Sequence, residues 1–299
     1  MLSLHTNNAA LSAQNSLGRT QSTLSTSMTR LSTGFRINSA SDDAAGLQIA
    51  TRLKTQTSGM NVAMRNTQNS ISMLQTAEGA LSETTTILTR MKDLATQAAD
   101  GSSTDKDQTA MQSEFDSLTA ELSNIMGNTS FGGTKLFTGT EGKLSKGAVD
   151  FQIGASSAEK MTLNISGDGD DTKGIAKMHK KIADAAEQFK SDGADGDFSA
   201  TTELSAASAN GTIDKLNDAI EAVSEVRSSL GAAANRLDHV NNNLSNISTN
   251  TKNATGRIMD VDFATESASM TSNQMLLQAG TAMLKQSNSQ ASLVMSLLQ

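Results

Sequence analysis

Apolar residues recur at every seventh position over most of the chain. Towards the C-terminus Phe263, Met270, Leu277, Leu284, Ala291 and Leu298 stand seven apart, and Leu276, Met283 and Leu297 widen the same face. That is the pattern of a helix whose apolar seam faces another helix. Near the N-terminus Leu17, Leu24 and Leu31 repeat by seven, preceded by Leu4 and Leu11. Neither terminal segment has a local partner, so the spacing predicts that they pair with each other and then with neighbouring copies. Inside them Leu53, Met60, Thr67, Leu74, Leu81, Leu88 and Ala95 repeat by seven, predicting a long helix that ends near residues 98–103. Met111, Phe115, Leu118, Leu122 and Ile125 alternate steps of four and three up to Gly127. Leu216, Val223, Leu230, Leu237 and Leu244 repeat by seven again, flanked by Ile213, Ile220, Val226, Ala233, Val240 and Ile247. Three long helices in a bundle follow from these registers, which by themselves say no more than coiled coil or bundle.

Two stretches leave the helical period. In "RLSTGFRINSASDDAAGLQIA", residues 30–50, the helix breaks at Gly34 and resumes by Leu47. Glycine adopts backbone angles that other residues resist. Ser41, Asp42 and Asp43 are helix-capping types, and carboxylates favour the positive N-terminal end of the next helix. Residues 34–46, with Gly34, Asn38, Asp42 and Asp43, are therefore predicted to connect two helices. The second stretch, "VDFQIGASSAEKMTLNIS", alternates through Phe151, Ile153, Met161, Leu163 and Ile165, and predicts two short strands in a hairpin. Beyond it, 166–174 and 190–200 are Gly/Asp-rich loops around a short helical segment. We expect residues 175–203 to form a surface insertion.

Composition sharpens this picture. The 299 residues contain no proline, and aromatics are 3% with phenylalanine alone. Proline breaks helix interiors, so its absence permits long uninterrupted helices. The net charge of −7 and a pI near 5.0 argue against nucleic acid or an anionic membrane as partner. There is no cysteine, which excludes disulfides and thiolate chemistry. No run of apolar residues is long enough to span a membrane. The opening "MLSLHTNNAALSAQNS" has no basic n-region or continuous apolar core, and is not expected to be a signal peptide.

Candidate chemistry is sparse. His5, His179 and His239 lie in no zinc-type pattern and beside no recognisable Ser/Asp pairing. Asp168, Asp170 and Asp171 resemble the opening of a calcium loop, but its twelfth position is His179, where a bidentate Glu is required. No phosphate-cradling glycine motif occurs. We expect no catalytic residue, metal or cofactor.

"LSTGFRINSASDDAAGLQIA" and "RNTQNSISMLQTAEGALSE" closely resemble the N-terminal half of bacterial flagellins. "SSLGAAANRLDHVNNNLSN" and "DVDFATESASMTSNQMLLQAGTAMLKQSNSQASLVMSLLQ" resemble the C-terminal half. The resemblance covers about residues 1–165 and 213–299, and "MLSLHTNNAAL" with "TRMKDLATQAAD" resembles the lateral type. It implies a mainly α fold. Residues 1–44 and 256–299 would form a terminal coiled coil (D0). Residues 45–174 and 204–255 would form a long-helix bundle with a β-hairpin (D1). Outer domains would be essentially absent.

The resemblance also implies a secreted, extracellular filament subunit, exported by the flagellar type III apparatus, that polymerises with itself for motility. Leu277, Leu284, Val294, Leu297 and Leu298 would be buried between subunits. An export chaperone, a cap protein and hook-associated proteins are implied partners. The segment "LTRMKDLATQ" resembles the family's site for a host Toll-like receptor, which would place Arg90, Leu94 and Glu114 in that site. The alternative within the family is the hook–filament junction protein. An inserted metallopeptidase is disfavoured because the centre is short and lacks HExxH. A helical signalling rod is disfavoured because no membrane anchor appears.

Overall fold

The structure, a computed structural model, describes residues 7–139, 141–167, 172–192, 203–205 and 207–297. The helices are α1 (Asn8–Thr33), α2 (Ala44–Ala98), α3 (Asp105–Asn128), α4 (Gly174–Ala185), α5 (Ala209–Met259) and α6 (Phe263–Leu297). The strands are β1 (Ser130–Phe131), β2 (Thr134–Lys135), β3 (Val149–Gln152) and β4 (Lys160–Leu163). Spatial contacts divide the chain into two units. One holds the described residues up to Thr57 and from Thr249 onward, and the other holds Ser58–Ser248.

The fold is mainly α, as the seven-residue register predicts. In the second unit Leu74, Leu81 and Leu88 of α2 and Leu216, Val223, Leu230 and Leu237 of α5 are buried in one core. Thr57, Thr67 and Thr84 are buried on α2. Thr67 and Thr84 each turn the hydroxyl back onto the carbonyl four residues earlier, at 2.8 and 2.9 Å. α3 opens on a capping box in which Thr104 Oγ1 and the Asp107 carboxylate satisfy each other's backbone N–H. The Thr104 hydroxyl, donating to Asp107, holds that carboxyl below the usual range. The cap sets the helix start at Asp105, earlier than its apolar positions indicate.

The predicted hairpin is present as the antiparallel pair β3–β4, with Val149 opposite Leu163 and Phe151 opposite Met161. These four side chains are buried and the residues between them are exposed or half-buried, as period-two alternation requires. A second hairpin, β1–β2, turns through Gly132 and Gly133, both at positive φ. A Gly-Gly pair suits a two-residue hairpin turn for that reason.

The expectation of a surface insertion at 175–203 is corrected. Ile175, Met178, Ile182 and Ala185 lie on one stripe of α4 and are fully buried in the second unit's core, together with Phe189. On the outer flank Lys177 Nζ meets Glu225 Oε2, and Lys181 Nζ meets Asp218 Oδ2, both at 2.8 Å. Bonds to those carboxylates raise both lysine pKa values. Burial supplies the docking energy, because exposed ion pairs contribute little. Residues 193–202 lie outside the described residues.

His179, on the same helix, is sequestered beside Phe189, with ring centroids 6.2 Å apart, and its Nε2 has no hydrogen-bond partner. Burial pushes its pKa down to about 4. His239 is exposed on α5. His5 and the aspartates at 168, 170 and 171 lie outside the described residues. Among the described residues no group of three His, Asp or Glu side chains is placed to hold a metal.

Two predictions follow from α4. Ile182→Ala should destabilise the second unit by about 2–5 kcal/mol in chemical denaturation, whereas Lys181→Ala should change it little. Equal effects would mean that the ion pairs, not the apolar stripe, hold the helix. The second concerns pH. An unfolded histidine takes up its proton near 6.5 and the folded His179 only near 4, so stability is lost as pH falls between those values. The loss should reach up to about 3 kcal/mol. A His179→Gln variant should show a shallower decline over that window in parallel denaturation series.

Candidate assembly interface

In the first unit α1 and α6 pack against each other along their length. They run antiparallel. At one end Asn7 Nδ2 donates to the Ser287 carbonyl at 3.2 Å and to Ser287 Oγ at 3.1 Å. Further along, Arg30 Nη1 lies 3.8 Å from Glu266 Oε2. Gly280 allows a close approach between them, since a Cβ there would meet Leu17 Cδ1 at 2.6 Å.

The helices are tied where the chain leaves α1. Gly34 ends that helix in the left-handed region at φ 75°, and its N–H donates to the Arg30 carbonyl. The Gly34 carbonyl accepts from Val261 N–H at 3.0 Å, and Arg36 N–H donates to the Met259 carbonyl at 2.6 Å. Arg36 Nη2 adds a bond to the Ile258 carbonyl at 2.9 Å. Together with the Phe35–Asp260 bridge these bonds form a short antiparallel clasp. The clasp sets the break between α5, which ends at Met259, and α6, which starts at Phe263. Residues 260–262 adopt non-helical backbone to make it, and Asp262 then caps α6 by accepting from Ala264 N–H and Thr265 Oγ1. The Thr265 hydroxyl is the main cause of the lowered Asp262 pKa.

Gly34, Asn38, Asp42 and Asp43 all take part in the link from α1 to α2. Asn38 Nδ2 donates to the Phe35 carbonyl at 2.8 Å. The Asp42 carboxylate accepts from the Ser39 and Asn38 N–H groups at 2.9 and 3.0 Å. These bonds, Ser39 first, lower its pKa. Asp43 Oδ1 accepts from Gly46 N–H at 2.8 Å, the bond expected of an N-cap. Gly46 has no room for a side chain, because a Cβ would meet the Asp43 carboxylate and Ile37 Cδ1. Ile37 is buried beneath the link.

Two helices joined this way cover only the faces they turn to each other. α1 buries a single residue, Ser27, and among the described residues of this unit the buried hydrophobic ones are Ile37 and Ala50. Ten large hydrophobic side chains are exposed among the described residues, and eight belong to this unit: Leu11, Met28, Phe35, Ile49, Phe263, Met275, Leu276 and Met283. Exposed apolar surface concentrated in this way marks a contact with another molecule. Leu277 and Leu284 are half-buried. The side chains of Val294 and Leu297, and Leu298 as a whole, lie outside the described residues. On α6 the register positions Met270, Leu277 and Leu284 are partly covered, whereas its first member, Phe263, and the flanking Met275, Leu276 and Met283 are exposed.

In the second unit Arg90 Nε and Nη2 both donate to Glu114 Oε1, at 2.9 and 2.7 Å, on an accessible surface. Leu94 is only 2% exposed and belongs to the core, so it lies beneath that surface rather than on it. Residues four apart are offset by roughly 40° around a helix, which takes Leu94 off the Arg90 side and onto the buried stripe of Met91, Ala95 and Ala98.

Family models described as "Bacterial flagellin N-terminal helical region" and "Bacterial flagellin C-terminal helical region" match residues 4–142 and 213–298. The chain is 34% identical to flagellin A of Vibrio anguillarum over 382 aligned positions, which cover 100% of both. It is 38% identical to the flagellin of Bacillus subtilis, with 98% of each covered. Among solved structures it is similar to a flagellar hook-associated protein of Vibrio parahaemolyticus, at 18% identity and a TM-score of 0.54. That match covers 73% of this chain and 100% of the other, and bears on the fold alone.

The link generates a prediction. Asp43→Ala removes the cap of α2 and should cost about 0.5–2 kcal/mol locally. Amide hydrogen exchange should speed up at Gly46 and Leu47 while Leu81 and Leu88 keep their protection. Unchanged exchange at Gly46 would show that the cap contributes nothing.

Proposed function

The chain belongs to the bacterial flagellin family, and from that premise we propose how it works: it polymerises into the extracellular flagellar filament, using the exposed apolar face of α1 and α6 as the surface that another copy covers. The observation that carries this reading is that, among the described residues, eight of the ten exposed large hydrophobic side chains belong to the terminal unit. Covering a Leu or Met side chain contributes roughly 1.5–3 kcal/mol, and a filament repeats the contact at every subunit. A net charge of −7 opposes the association of copies, so the apolar contact has to outweigh that repulsion.

Further parts of the reading rest on the family resemblance. We read 1–44 with 256–299 as the terminal coiled coil, and 45–174 with 204–255 as the helical bundle, to which α4 adds its buried stripe. Leu277, Leu284, Val294, Leu297 and Leu298 are proposed as part of the polymer core. Export chaperone, cap and hook-associated proteins are proposed partners. A host Toll-like receptor is proposed to contact the surface at Arg90 and Glu114, with Leu94 supporting it from beneath. The family is structural, and we assign the chain no catalytic role. No observation favours the hook–filament junction reading.

Leu276→Asp and Met283→Asp place a carboxylate on the proposed contact without touching the second unit. Each should leave helical content and the denaturation midpoint of that unit unchanged, and should abolish seeded filament growth followed by light scattering and electron microscopy. Filaments at the parent's yield from both variants would sink the assignment of this face.

A further inference from the structure

We propose that Met28, Met275 and Met283 form a reversible oxidation site that controls whether the free subunit can assemble. The proposal rests on the reading of the α1–α6 face as the surface between copies. The chain has 15 methionines and no cysteine, tryptophan or tyrosine, so thioether sulfur is its main two-electron reductant. The methionines are sorted by unit. Seven in the second unit are buried, Met91, Met126 and Met178 completely. Among the described residues the exposed ones are Met28 at 51%, Met275 at 61% and Met283 at 67%, all on α1 or α6.

Susceptibility to oxidation follows exposure, so a peroxide meets these three sulfurs first. In each reaction the sulfur attacks one peroxide oxygen, the O–O bond breaks and an S–O bond forms. The sulfur loses two electrons, and hydrogen peroxide leaves as water after a proton shift. The product keeps the length of the side chain but carries a strongly polar S–O group. An apolar contact thereby becomes one that has to desolvate a hydrogen-bond acceptor without a partner. The change is undone by methionine sulfoxide reductases, one for each sulfur epimer. A subunit oxidised before assembly is withheld from the polymer, whereas a subunit already assembled has the same sulfurs covered.

The test uses the full chain and dilute hydrogen peroxide. Peptide mass spectrometry of the treated free subunit should find sulfoxide at 28, 275 and 283 before 91 or 178. Seeded elongation should fall by about ten-fold or more and return after treatment with both reductases and a thiol. Assembled filaments should acquire the three sulfoxides far more slowly than free subunits. A Met28→Leu/Met275→Leu/Met283→Leu variant should elongate after peroxide as it does before, and the corresponding triple Gln variant should fail to elongate with its helical content intact. Elongation of the oxidised parent at the untreated rate, or loss that the reductases do not reverse, overturns the proposal. Equal oxidation of the three sites in filaments and free subunits overturns instead the reading of the face as an interface. Failure of the untreated parent to elongate does the same, so the two failures are told apart.

Discussion

Everything in this molecule turns on how many neighbours a helix has. A helix packed against one partner covers one strip of its surface, and one surrounded on several sides covers most of it. In the second unit α2 and α5 share their neighbourhood with α3, the hairpins and α4, and their leucines are sealed. In the first unit α1 and α6 have only each other over most of their length, and their apolar residues stay half covered or open. The same seven-residue spacing runs through both. What differs is the supply of packing partners within the chain, and that difference makes one unit self-sufficient and the other sticky.

The long helices were legible because a register kept over several turns is a strong signal. The link around Gly34 was legible because Gly, Asn and Asp cluster where a cap is needed. Other features were not. α4 has 12 residues and sits between Gly/Asp-rich stretches, so its stripe of Ile175, Met178, Ile182 and Ala185 reads as a brief amphipathic segment with no visible destination. Docking it required knowing that α5 offers Asp218 and Glu225 beside an apolar groove. The β1–β2 turn was signalled by Gly132–Gly133, but its two-residue strands are too short to show alternation. The break at 260–262 arises from backbone bonds to residues 34–36, more than two hundred positions away, and no local property of the sequence announces it. Leu94 lies only a fraction of a turn round α2 from Arg90, at the edge where the accessible surface gives way to the buried stripe, and spacing alone does not show where that edge runs. On α6 the spacing marks Leu277 and Leu284, which are half-buried, but which members of that face stay open depends on how α1 covers it, and spacing does not show that.

Ordinary helices of this length carry more leucine and less serine and threonine. Here Thr20, Thr23, Thr26 and Thr29 each bond the carbonyl four residues back, at 3.0–3.1 Å. Their hydroxyls are thereby satisfied within the helix itself. A helix surfaced in this way resists being classed as polar or apolar. It tolerates solvent in the free chain and tolerates a close neighbour as well.

The bonds between Asn7 and Ser287 join positions 280 apart in sequence. Closing a loop of that size from an unfolded chain has a large entropic cost, and the cost falls once the intervening residues have already condensed. The terminal seam therefore has the highest contact order in the molecule and the weakest local support. On this ground it is the last part to zip up on folding and the first to unzip on heating. The middle of the chain serves as the splint that brings its two ends into register.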